Sequence, residues 1–393
     1  MASSAVQIRT YRGPALFSYG FRPFFFFGAL WAAIAVAVWI PFLTGRLALP
    51  THLAPLDWHV HELLFGFVPA VVAGFLLTAV PNWTGRLPVV GPKLAALFAL
   101  WALGRMAVLM SAWIGAGLAA IIDISFLAVL GLVIGREIIA GSSWRNAKVL
   151  VAIVLMGTAN GLYHAESMGI VPGTHGKRLG LAVILMLIML IGGRIIPSFT
   201  RNWLARQQGA RLPIPFNMLD GLVMVDSAIV LLLWIVLPDS ILTGSLAAVI
   251  GVLHFVRLSR WAGDRTASEP LVLVLHVAYA FVPLGFLLLA GAILLPNAVP
   301  VSAAIHAWTA GGIGLMTLAV MTRASLGHTG QALTATPGIQ AIYALATISA
   351  LARILAALGL WPSLLLDLAA LGWVLAFTGF VIIYAPLLLR RTA

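Results

Sequence analysis

The chain has 393 residues, 62% of them hydrophobic and 9% charged, with no cysteine and a formal net charge of +12. At a mean hydropathy of +1.07 this is more apolar than a water-soluble core-and-surface protein, so the chain is built for lipid, and the lack of cysteine excludes disulfides, thiolate-bound zinc, iron–sulfur clusters and Cys-ligated haem. A charge of +12 would suggest nucleic acid in a soluble domain, but here the basic residues sit in short loops between apolar runs, where they set topology, and no nucleic-acid partner is expected.

A helix needs about 20 apolar residues to cross a bilayer. Proline, glycine and charge punctuation mark off twelve such runs, near 24–44, 61–80, 92–110, 113–134, 147–168, 179–196, 219–237, 240–261, 270–294, 301–321, 338–358 and 362–387. They predict an all-α polytopic protein of about twelve transmembrane helices in a single transmembrane domain, 1–393, with membrane lipid around it. Arg9, Arg12 and Arg22 precede a first run of full length, which is read as a span and not as a cleaved signal peptide. Of the 23 Lys and Arg, all but Arg46, Arg105, Lys177, Arg178 and Arg353 fall at the N-terminus, in or beside even-numbered loops, or at the C-terminus. The positive-inside rule then puts both termini in the cytoplasm of an inner membrane.

Spans two, six and ten end on Asn82-Trp83-Thr84-Gly85-Arg86, Ser198-Phe199-Thr200-Arg201-Asn202 and Gly327-His328-Thr329-Gly330-Gln331. With the threonines aligned, His61 and His306 each lie 23 residues upstream, His59 and His175 each lie 25 upstream, and Arg194 and Arg323 each lie six upstream. The pattern predicts three repeats of four helices, roughly 20–135, 145–262 and 270–388.

The topology sorts the nine histidines by depth. His59, His61, His164 and His306 share a layer near the periplasmic side, with His175 and His52 in loops beside it. His254 and His276 share a second layer toward the cytoplasm, and His328 lies in the adjoining loop. An ionisable group inside a bilayer is costly and is by default a functional hypothesis, and neutral imidazole is the commonest metal ligand. Each histidine alone is equally consistent with a hydrogen bond to a neighbouring helix, but four in one layer point to a metal or haem site. His59 and His61 are two residues apart, so on a helix they face about 200° apart and can serve two centres; on a loop both can chelate one ion. Glu62 fits an acceptor for a ligand N–H, a proton relay, or an interfacial salt bridge. Asp123, Asp226, Arg353 and Asp367 fit interhelical ion pairs or a proton path. Arg194 and Arg323 fit partners for haem propionates or plain positive-inside anchors.

Phe17-Ser18-Tyr19-Gly20-Phe21-Arg22-Pro23-Phe24 resembles the opening of the NnrS family of bacterial membrane proteins. Trp58-His59-Val60-His61-Glu62, Pro81-Asn82-Trp83-Thr84-Gly85-Arg86, Gly193-Arg194-Ile195-Ile196-Pro197 and Arg323-Ala324-Ser325-Leu326-Gly327-His328-Thr329-Gly330 resemble later stretches of it, in family order across nearly the whole chain. Gln331 departs from the arginine expected after the last run. The resemblance implies a twelve-span protein of the bacterial inner membrane that contains haem b and copper and is tied to nitric oxide and nitrosative stress, with family histidines falling on His59, His61, His164, His276, His306 and His328. The three-by-four pattern is also similar to the catalytic subunit of haem–copper oxidases and nitric oxide reductases, a likeness of architecture alone.

The resulting expectation is an oxidoreductase that converts nitric oxide to N2O, drawing electrons from a quinol or cytochrome donor. Its reactive metal centre would be built from His59, His61, His164 and His306 with Glu62, and His175 beside it. A low-spin haem would lie on His254 and His276, with Arg194, Arg323 and His328 as further cofactor contacts. The rival readings are a non-enzymatic nitric oxide or copper binder and a transporter.

Overall fold

The structure, a computed structural model, describes residues 11–207 and 211–391; Arg9 of the N-terminal charge pattern lies outside them. Twelve helices are long and apolar enough to span a membrane: α1 Phe21–Leu43, α2 Pro55–Thr84, α3 Pro92–Leu109, α4 Ala116–Ala140, α5 Trp144–Ser167, α6 His175–Leu204, α7 Met218–Val236, α8 Ile241–Ser259, α9 Pro270–Leu294, α10 Val301–His328, α11 Pro337–Ala357 and α12 Pro362–Leu389. No strand occurs among the described residues. Each expected apolar run becomes a helix; α2 starts at Pro55 and so takes in His59 as well as His61, and α6 and α10 are longer than expected, so that His175 and His328, expected in loops, are the first residue of α6 and the last of α10.

Local chemistry accounts for the boundaries. Proline opens α2, α3, α9 and α11, where its missing N–H and fixed φ are no handicap. Asn217 and Asp220 form a capping box at the start of α7, and Gly85 ends α2 in the left-handed conformation at φ 68°. Leu132, Ile121, Ile241 and Ile382 are exposed along their helices, which suits lipid and not water. Exposed Trp113, Trp144 and Trp361 sit at helix ends, where indoles favour the membrane interface.

Among the described residues three helices contain a π-helical segment. It runs over Glu62–Phe67 in α2, Ile188–Gly192 in α6 and Ala307–Leu315 in α10. These are the three spans whose ends align in sequence, and in α2 and α10 the segment begins directly after His61 and His306. Widened turns of this kind concentrate at functional positions because they shift side-chain register.

The helices group into two compact units. One holds the chain up to Gly180 together with Phe380 onward, and the other holds Leu181–Gly379. In the first, the Arg22 guanidinium, buried at the head of α1, donates to the carbonyl oxygens of Leu387, Leu388 and Arg390 at 3.0, 3.2 and 2.8 Å. A cation on these open carbonyls complements the C-terminal end of α12.

Candidate metal centre

All five of the first helices send polar side chains to one buried point. His61 Nε2, His164 Nε2 and Asp123 Oδ2 form a triangle with edges of 3.1, 3.1 and 3.2 Å. Among the described residues these three make the one group of His, Cys, Asp or Glu positioned to hold a metal ion. Their relative exposures are 0%, 4% and 2%, so the group is closed off from bulk solvent. His61 lies near the start of α2, Asp123 in the first half of α4 and His164 near the end of α5. The layer inferred from topology thus brings His61 and His164 together.

The surrounding residues define each donor's orientation. His61 Nδ1 lies 3.1 Å from Glu62 Oε1 and can only donate to it, which leaves Nε2 with its lone pair in the triangle. Asn160, one helical turn before His164, donates from Nδ2 to Asp123 Oδ2 at 2.7 Å and places its Oδ1 3.2 Å from His61 Nε2. Arg105 on α3 bridges the two carboxylates, donating to Glu62 Oε2 at 2.7 Å and pairing with Asp123 Oδ1. Trp31 on α1 donates its indole N–H to Glu62 Oε2 at 2.8 Å. Two glycines make room for this network. A Cβ on Gly66 would lie 2.5 Å from the Arg105 guanidinium and 3.0 Å from Glu62 Oε2, and one on Gly104 would lie 3.0 Å from Asp123 Oδ1.

This donor set suits a bare ion. A neutral His61 whose Nδ1 proton is committed to Glu62 faces a carboxylate oxygen and a second imidazole, an excess of lone pairs that a cation resolves. Three donors bonded at about 2.1 Å to one ion stand about 3.0–3.4 Å apart according to the bond angle, and the observed edges lie within that interval. Haem does not fit between them. Two imidazoles on opposite faces of a porphyrin need their nitrogens about 4 Å apart, with no third donor in the same plane.

The other expected residues of this unit lie elsewhere. His59 stacks on Trp39 of α1 at 3.9 Å between ring centroids, as the opposed facing of alternate helical residues requires. His175 is half exposed, with Nδ1 3.5 Å from Glu166 Oε1.

The second unit has its own buried network. Arg257 donates to Tyr279 Oη at 2.7 Å and pairs with Asp220 at 2.9 Å. Arginine only donates, so the Tyr279 hydroxyl proton points to His254 Nδ1 at 3.0 Å. His254 Nε2 in turn donates to Ser227 Oγ at 2.8 Å, because the serine proton goes to the Val223 carbonyl. His276 behaves alike: Nε2 lies 2.8 Å from Thr200 Oγ1, whose proton goes to the Ile196 carbonyl, while buried Nδ1 has no hydrogen-bond partner and packs against Gly263. Both imidazoles therefore carry the Nε2 proton toward a hydroxyl. His306 has the opposite tautomer, with Nδ1 donating to the Ser302 carbonyl at 2.7 Å. Half-buried Arg323 stacks over Phe199 at 4.1 Å, while Arg194 and His328 are exposed. Asp226 and Arg353 are half-buried and Asp367 is exposed.

Arg105, Asn160 and Trp31 were not singled out from sequence. Arg105 carried a usable signal, since a charge inside an apolar run demands a buried partner. Asn160 also carried one, being four residues from a candidate ligand. Trp31 carried none among thirteen tryptophans.

Twelve apolar helices among the described residues, with a buried His/Asp cluster in the first unit, define a multi-pass membrane protein with a possible metal site. The sequence profile of the NnrS protein family matches residues 15–391, nearly the full chain. The chain belongs to the NnrS family, membrane proteins associated with the nitric oxide response. No curated protein matches it.

Proposed function

We propose that this protein binds nitric oxide at a metal ion held by His61, Asp123 and His164 and reduces it to N2O in the bacterial inner membrane, with both termini cytoplasmic. The observation that carries the reading is the convergence of three ligand atoms within 3.1–3.2 Å of one another, wholly buried in a helical bundle. When bound, a transition ion supplies a coordination position for a small neutral gas and exchanges electrons with it. Two nitric oxide molecules take up two electrons and two protons to give N2O and water, so a quinol or cytochrome donor is part of the proposal.

The protein's own residues prepare the site. Glu62 fixes the His61 tautomer and ring plane through Nδ1. Arg105 offsets buried carboxylate charge and occupies Asp123 Oδ1, leaving Oδ2 for the ion. The apolar helices admit a neutral gas and exclude ions. Copper is the alternative ion for the cluster's nitrogen and oxygen donors, and the metal analysis distinguishes it from iron. For haem b we propose His306 as the ligand: its Nδ1–H on a backbone carbonyl is the usual orienting bond of a metal-ligating imidazole. Arg323 and His328, 17 and 22 residues along α10 from His306, lie about 25–33 Å from it and are not contacts for its propionates.

The test is metal analysis and an optical spectrum of the purified protein, followed by nitric oxide consumption and N2O formation with a reductant. The reading requires metal that disappears in both His61→Ala and His164→Ala, and N2O in step with it. Nitric oxide binding without N2O would leave a passive binder, and full metal content in both variants would remove the site.

A further inference from the structure

The cluster's chemistry discriminates among metals. Its ligands are two imidazole nitrogens and one carboxylate oxygen, with no sulfur donor, since the chain has no cysteine and the group contains no methionine. The carboxylate is monodentate by construction: Asp123 Oδ1 is taken by Arg105 and Oδ2 points into the triangle. For bonds of about 2.1–2.2 Å, edges of 3.1–3.2 Å correspond to angles of about 90–99° at the ion. Three donors at such angles occupy one face of an octahedron. A tetrahedral ion would spread them to about 3.4 Å, and tetragonal copper would draw them toward one plane around it.

Resting on the reading that this cluster holds the metal, we propose that the metal is ferrous iron in a non-haem site faced by His61, His164 and Asp123. Two histidines and one carboxylate on a single face are the arrangement by which proteins hold iron(II) and keep the opposite positions open for a diatomic gas. The surroundings match that role. Glu62 anchors the far nitrogen of His61, and Arg105 lets the two carboxylates share the site without mutual repulsion. Asn160 Oδ1, 3.2 Å from His61 Nε2, marks the side on which a further oxygen donor sits.

The experiment loads full-length protein, stripped of metal in detergent without oxygen, with iron(II), copper or zinc in turn, and measures bound metal and the EPR spectrum after adding nitric oxide. The expected result is one iron per chain in that site and the high-spin EPR signal of a non-haem ferrous nitrosyl, distinct from the low-spin signal of a haem nitrosyl. Asp123→Ala takes one of Arg105's two carboxylate partners and risks unfolding, so His164→Gln, which exchanges one imidazole for a weaker amide oxygen and breaks no arginine pair, carries the assignment: it should lose at least tenfold in iron affinity with its helical content unchanged. Copper held in preference to iron and lost in His164→Gln overturns the iron assignment and leaves the metal site standing. Unchanged binding of every metal in His164→Gln and His61→Ala overturns both.

Discussion

Arg105→Met removes the guanidinium shared by two buried carboxylates and keeps most of the side-chain volume. Glu62 and Asp123 are each fully enclosed, and Arg105 contacts both. Unit charges about 4 Å apart interact by about 4 kcal/mol at an effective dielectric near 20, and removing one partner of a buried ion pair typically costs about 3–5 kcal/mol. At about 2 °C per kcal/mol for a large chain, the thermal midpoint in detergent should fall by about 6–10 °C. Adding Glu62→Gln removes one stranded charge, although its single amide oxygen can accept from only one of Trp31 and His61, so the double variant should regain part of the loss. Thermal unfolding followed by intrinsic fluorescence reads both effects. A midpoint within about 2 °C of wild type for Arg105→Met, or a double variant less stable than the single, would refute the reasoning that Arg105 is the electrostatic keystone of the cluster.

His59→Ala should leave bound metal unchanged while His61→Ala abolishes it, because His59 stacks on Trp39 and faces away from the triangle; elemental analysis of the two purified variants checks this. Gly66→Ala should displace the Arg105 guanidinium, cost about 1–3 kcal/mol as an overpacked contact and lower metal content, measured by thermal midpoint and elemental analysis together. Tyr279→Phe should cost about 1–3 kcal/mol, since it leaves His254 Nδ1 buried without its donor, and a midpoint equal to wild type would contradict the hydrogen-bond directions derived for that network. Reporter fusions at both termini should report the cytoplasm, and a periplasmic signal from the C-terminal fusion would sink the topology.

The helices were legible in the sequence because lipid imposes a simple rule: twenty apolar residues bounded by charge and proline make a span whatever lies beside it. Depth was legible for the same reason. His61 near the head of α2 and His164 near the tail of α5 share a level by counting alone, and the structure brings them within 3.2 Å. Which face each residue takes is a different matter, because it depends on how the helices rotate and pack. His59 and His61 are equivalent by composition and depth, yet one stacks on a tryptophan and the other enters the cluster.

The partners were hidden by the same physics. Asp123 read as an ion pair or a relay with no way to choose between them, because its cation sits on another helix, and Arg105 read only as an exception to the charge pattern. A π-helical segment begins at Glu62, so helical-wheel arithmetic fails at the residue after His61, and no propensity in Glu62–Phe67 announces it. Two adjacent residues, His61 and Glu62, then both reach the same buried point, one as proposed ligand and the other as the acceptor that orients it. A candidate metal site of this kind is specified by close approach as much as by ligands. Gly66 and Gly104, which carry no chemistry of their own, let Arg105 and Asp123 come close enough to complete it.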